Sequence, residues 1–132
     1  MQDSLEVVDA FVEAWKRNDP TEIIGLFADD CVWYDGVPSE PHRGKESILA
    51  MLERYSRHIS DVDIEVVNQA VNGAVVFQER IDRGMRNGKP FEVQAVCIFE
   101  VREGKIVANR DYWNPGAYRR AADPAAAPKA AG

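Results

Sequence analysis

Between residues 4 and 18 the apolar positions fall at Leu5, Val8, Phe11, Val12 and Trp15. Steps of three and four residues place these groups on one stripe of a helix, with Ser4 as its N-cap and Asn18-Asp19-Pro20 as its stop. A second, short helix is predicted over 20–28, with proline in its first turn and Ile23, Ile24, Leu26 and Phe27 as its apolar residues. Cys31-Val32-Trp33-Tyr34 is β-prone and runs into a Gly/Pro-rich loop over 36–44. A third helix over 45–58 carries Ile48, Leu49, Leu52 and Tyr55 on one side. Helical spacing then gives way to alternation, which predicts four strands over 63–71, 74–82, 91–102 and 105–113. Asn72-Gly73, Asn87-Gly88 and Glu103-Gly104 separate them, pairs that turn a chain tightly because they tolerate positive φ.

Helices first and a meander of long antiparallel strands afterwards describe an α+β fold. Such a sheet curls, exposes one face and has the other covered by the amino-terminal helices, which leaves a pocket inside. At 132 residues the chain holds one domain, read here as 1–118, followed by an Ala/Pro-rich stretch over 119–132 that is expected to be a flexible tail. The net charge of -6 makes phosphate backbones and anionic membranes poor partners. No apolar run is long enough to span a bilayer. Asp3, Glu6 and Asp9 stand where a secretory signal needs a basic start and an apolar block, so a cytoplasmic location is expected. Cys31 and Cys97 lie in apolar strand-like stretches and read as buried small hydrophobes, while His42 and His58 form no ligand pattern. Neither a metal nor a cofactor is expected.

The chemistry lies in charges embedded in strands. Alternation puts Gln78, Arg80 and Asp82 on one face with Val76, and Phe77, Glu79 and Ile81 on the other. In the last strand Asn109, Asp111 and Trp113 share a face with Val107. A guanidinium can hold two carboxylates in fixed geometry, and desolvation can keep one carboxyl protonated while the other stays ionised. In a pocket that trio is a general acid and base; on a surface it is a weak cross-strand ladder. Alternation alone leaves both readings open. Tyr34 reads as a core aromatic or a hydroxyl donor at the pocket rim, and Asp35 as a turn residue or a site group. Trp15, Trp33 and Trp113 read as core or pocket lining.

The stretch RIDRGMRNGKPFEVQAVCIFEVREGKIVANRDYW closely resembles the carboxy-terminal half of limonene-1,2-epoxide hydrolases, within the NTF2-like and SnoaL-like superfamily. The R-x-D of Arg80 to Asp82 and the R-D-Y-W of Arg110 to Trp113 are its most specific carriers, and FADDCVWYDGVP…RGKESI is similar to the superfamily's amino-terminal half. The resemblance implies a cone-shaped, curved mixed sheet packed against three helices, as in a cystatin-like roll. It implies cofactor-free, one-step epoxide hydrolysis with Asp111 as base, Asp82 as acid, Arg80 bridging them and Tyr34 positioning the water. Trp33, Asp35, Phe99 and Trp113 would contact a small or medium apolar substrate, and a homodimer would cover the open outer face. One position departs from the pattern: the family's water-holding asparagine, two residues after that tyrosine, is Gly36 here, and Asn109 is a possible substitute. The rival readings are a ketosteroid-isomerase-like isomerase or cyclase using Asp35, and a non-catalytic binding domain. Against the first, Cys97 falls near the place of that family's second aspartic acid and cannot replace it.

Overall fold

The computed structural model describes residues 3–114, so the predicted tail and the end of the predicted domain lie outside the described residues. Helix α1 spans Ser4–Lys16 and is capped by Asp3, whose side chain accepts from the Leu5 amide, one residue before the predicted cap. Helix α2 spans only Pro20–Ile24, capped by Asp19. It stops short of the predicted end because Phe27 pairs with Ile106 of the last strand and the Ile106 amide donates to the Leu26 carbonyl at 2.9 Å. Sheet pairing outcompetes local helix propensity there. Strand β1 is accordingly longer than its β-prone core, Phe27–Tyr34. A two-residue strand β2, His42–Arg43, lies inside the predicted loop, and α3 spans Lys45–Ser56. The four long strands follow: β3 Ile59–Asn72, β4 Val75–Arg86, β5 Lys89–Arg102 and β6 Lys105–Trp113.

The sheet has the order β2-β1-β6-β5-β4-β3. Only β1 and β6 pair in parallel, so the sheet is mixed. Asn87-Gly88 and Glu103-Gly104 both adopt positive φ, as expected of two-residue hairpin turns. At the first hairpin the turn residues are Gly73 and Ala74 instead of Asn72 and Gly73, because Asn72 still pairs with Val75. Register shifts interrupt β3 twice and the β5–β6 pair once. Such bulges bend and twist a sheet, and this one wraps the helices on one face. The bulge at Glu100/Val101 also turns Val107 out of the inward row, where Ile106 takes its place, fully buried.

The core sits between that face and the helices. Phe11 of α1 is its centre, with ring centroids 5.1 Å from Phe99, 5.7 Å from Trp33 and 6.0 Å from Phe27. Phe99 is therefore a core residue, fully buried against α1 and absent from the cavity wall. That corrects its assignment as a substrate contact.

Candidate active site

A cavity of about 60 Å³, open to solvent at its mouth, lies between the sheet and helices α1 and α3. Its wall includes Arg80 and Asp82 of β4, Asp111 and Trp113 of β6, and Trp33 and Asp35 at the end of β1. The charged face of β4 is thus the inner one. Arg80 is almost fully buried and grips Asp82 with two hydrogen bonds, Nε to Oδ1 at 3.1 Å and Nη2 to Oδ2 at 2.7 Å. Same-face spacing of two residues makes that grip possible on a single strand. Burial works against the proton on Arg80, and the surrounding anionic groups, Asp82 and Asp111 among them, outweigh it, so Arg80 stays cationic. Its Nη1 is buried without a hydrogen-bond partner among the described residues.

Asp111 stands two strands away. In the register, Gln78 pairs with Cys97 and Cys97 with Asp111, while Arg80 pairs with Ala95 and Ala95 with Trp113. The intervening strand presents small side chains, Ala95 and Cys97, so the ions of β4 and β6 influence each other across it. Three donors converge on the Asp111 carboxyl. Trp33 Nε1 donates to Oδ2 at 2.8 Å, Asn109 Nδ2 donates to Oδ1 at 3.1 Å, and the Cys97 thiol also donates. Burial nevertheless dominates and holds the Asp111 proton affinity above the ordinary carboxylate range, although Arg80 and these donors oppose it. Burial likewise pushes the Cys97 thiol well up, which makes it a donor and an inert nucleophile.

Asp35 is the third carboxyl of the cavity. Burial raises it to about 7, the charge of Asp111 adds to that, and no cation offsets either effect. The Val37 amide donates to the Asp111 carbonyl at 2.9 Å and ties the loop that carries Asp35 to β6.

Tyr34 does not join the site. It is half-buried and absent from the cavity wall, whereas its neighbours Trp33 and Asp35 both line it. Strand alternation sends Tyr34 to the opposite side, beside Arg110. The indole of Trp33 makes the contact to Asp111, and Asp35 follows it two residues later on the same side. The inward pair is therefore one residue earlier than the resemblance suggests. Gly36 suits an asparagine poorly: its φ of +127° strains any side chain, and a Cβ there would press on the Trp113 Nε1 at 3.3 Å. Asn109 is fully buried and its Nδ2 donates to Asp111 and to the Ile98 carbonyl. Phe91, Val93 and Ala95 of β5 and Tyr55 of α3 are wall residues that the sequence reading did not single out for the site. The alternation of Phe91, Val93, Ala95 and Cys97 on one face was the available signal.

A model of the SnoaL-like domain matches residues 8–109. The chain belongs to the SnoaL-like family. Epoxide hydrolase EphG of Mycobacterium tuberculosis is 30% identical over 109 residues, which cover 81% of this chain and 70% of that protein. YesE of Bacillus subtilis is 30% identical over 76 residues, and there the match spans about half of each protein (54% and 52%). Among solved structures, an epoxide hydrolase of M. tuberculosis described as LEH-like has a TM-score of 0.78 at 24% identity, covering 90% of this chain and 88% of that one. At that identity the likeness speaks for the SnoaL-like fold alone. Among the described residues no cluster of His, Cys, Asp or Glu is arranged to hold a metal ion, and no helix is long and apolar enough to cross a membrane.

Proposed function

We propose that this SnoaL-like protein hydrolyses a small or medium-sized, largely apolar epoxide to a vicinal diol in one step, without a cofactor. The observation that carries the reading is one buried guanidinium, Arg80, shared electrostatically by Asp82 and Asp111 in a single cavity. Opening the strained ring needs a nucleophile at carbon and a proton at oxygen, and delivering both together avoids a free alkoxide. Asp111 takes a proton from water as the new C–O bond forms. Asp82 gives a proton to the ring oxygen as the old C–O bond breaks. Arg80 holds the pair apart in protonation state, and Trp33 fixes the Asp111 carboxyl. Asp82 has 17% of its side chain exposed, so it can exchange protons with water. The relationship to EphG supports the same reading.

The test is a panel of terpene and cycloalkene epoxides with direct detection of diol. Wild type is expected to form diol, and Asp82→Asn to lower the rate by about 10²-fold or more. Unchanged turnover in the variant would remove Asp82 as the acid. No diol from any member of the panel would favour a second reading, proton shuttling by Asp35 in an isomerase or cyclase. The observation behind that alternative is Asp35 itself, facing the cavity and poised near neutrality. Deuterium uptake from heavy water into an unsaturated ketone, lost in Asp35→Asn, would identify it.

We also propose a homodimer through the outer face of the sheet. Phe77, Val96 and Tyr112 are exposed there on three adjacent strands, an apolar patch of the kind that marks an interface. Light scattering is expected to give twice the chain mass for wild type and a single mass for Val96→Glu. A wild-type monomer would end this part of the proposal.

A further inference from the structure

The charges lining the cavity do not balance. Arg80 holds Asp82 through two hydrogen bonds and is shared electrostatically with Asp111. Arg83, the other basic residue of the wall, is held by Glu65 at 3.0 Å and Glu92 at 2.7 Å. Asp111 is served by neutral donors, and Asp35 faces the cavity with no cation paired to it among the described residues. When Asp35 is ionised the residual charge inside is therefore negative, and it lies on the Asp35 side.

The rest of the wall is aromatic. Trp15, Trp33, Tyr55, Phe91 and Trp113 line the cavity with Asp35. Trp15 meets Trp33 at an interplanar angle of 53° and Tyr55 at 50°, so the rings are tilted to one another instead of stacked flat. The indole of Trp113 lies against Gly36, the residue next to Asp35. A wholly apolar ligand would hold Asp35 in its neutral form, whereas a cation would pair with its ionised form. Ring faces carry the negative lobe of their quadrupole and attract cations, most of all organic ammonium ions.

We propose that the ligand of this cavity carries a positively charged tertiary or quaternary nitrogen, seated against Asp35 between the aromatic rings. This deepens the hydrolase reading and rests on it in one respect only: the epoxide would be the other end of that ligand, directed to Arg80 and Asp111. An ammonium group supplies the missing counter-ion and uses the aromatic faces at once.

The sign of the pH dependence follows. The titratable groups that line the cavity with Asp35 are Asp111 of β6, Arg80, Asp82 and Arg83 of β4, Cys97 of β5 and Tyr55 of α3, and the wall residues of α1, Phe11 and Trp15, carry no charge. Of the titratable groups, Asp111 acts on Asp35. Without ligand Asp35 titrates near 7, and a bound cation favours its ionised form. Binding of the cation therefore releases a proton at pH 6 and strengthens as pH rises through 7, then levels off. Asp111, also raised by burial, acts with the same sign.

Choline and its neutral isostere 3,3-dimethylbutan-1-ol isolate the charge. Each is titrated calorimetrically into wild type and Asp35→Asn at pH 6 and pH 8. In wild type at pH 8 choline is expected to bind about tenfold or more tighter than the isostere, in line with a desolvated cation–π site. That preference shrinks several-fold at pH 6, with proton release, and Asp35→Asn abolishes it. An isostere that binds as well as choline, no saturable choline binding, or an unchanged preference in folded Asp35→Asn overturns the proposal. The wild-type comparison decides the matter even if the variant does not fold. Neither arm needs turnover: a cation preference without diol formation removes only the hydrolase reading, and diol formation without the preference removes only this one.

Discussion

Asp111→Asn is expected to lower diol formation by about 10³-fold or more while leaving the fold and melting temperature nearly unchanged, since a positioned general base contributes about 10²–10⁴. The carboxylate is the only feature the substitution removes. The new amide keeps the shape, and its oxygen still accepts from Trp33. Its NH₂ would face the Asn109 amide, which can turn over and present Oδ1, an atom without a partner among the described residues, at the loss of the 3.3 Å bond from Nδ2 to the Ile98 carbonyl. A polar network that can be re-satisfied in this way costs little stability. In wild type, kcat/KM should fall on the acid side at a pH above the ordinary carboxylate value of about 4, because burial raises Asp111. Stopped assays across pH 4–8 with wild type and variant check both points. Retained activity in a folded variant would take the base role away from Asp111.

Arg80→Ala is expected to cost both activity and about 3–5 kcal/mol of stability, the range for removing one partner of a buried ion pair. Two carboxyls would share a desolvated site without the cation, and a void would open under β5. Urea unfolding measures this directly. The companion variant Arg80→Met/Asp82→Leu removes the pair together and should recover much of the stability with no activity, which separates the electrostatic role of Arg80 from its packing role. An Arg80→Ala protein as stable as wild type would mean that Asp82 and Asp111 do not depend on the guanidinium.

How far the site was legible before folding can be seen at single residues. Gln78, Arg80 and Asp82 were placed on one face by alternation, and the structure keeps that row intact on β4. Asn109, Asp111 and Trp113 were grouped in the same way, but Val107 was wrongly added to them. A bulge adds one residue to one strand and reverses the faces beyond it, and nothing local in the sequence announces it. Tyr34 and Asp35 show the same sensitivity at the end of β1, where a shift of one residue exchanges inside for outside. The cue for α2 was misleading in a different way: Leu26 and Phe27 suit a helix, but pairing with β6 claims them.

The sequence by itself determined the order of elements, helices before a meander of strands. It determined the hairpin turns at Asn87-Gly88 and Glu103-Gly104, and which charges share a face of one strand. These are local properties, set by backbone conformational preference and by the two-residue period of a strand. Tertiary structure alone decided which face is concave, that β4 and β6 flank small residues of β5, and that Asp35 shares a cavity with Asp111. Those depend on strand order, bulges and burial. Burial is also what raises Asp35 and Asp111 above ordinary carboxylates, because an ion's proton affinity is set by the solvent it has lost and not by its sequence neighbours.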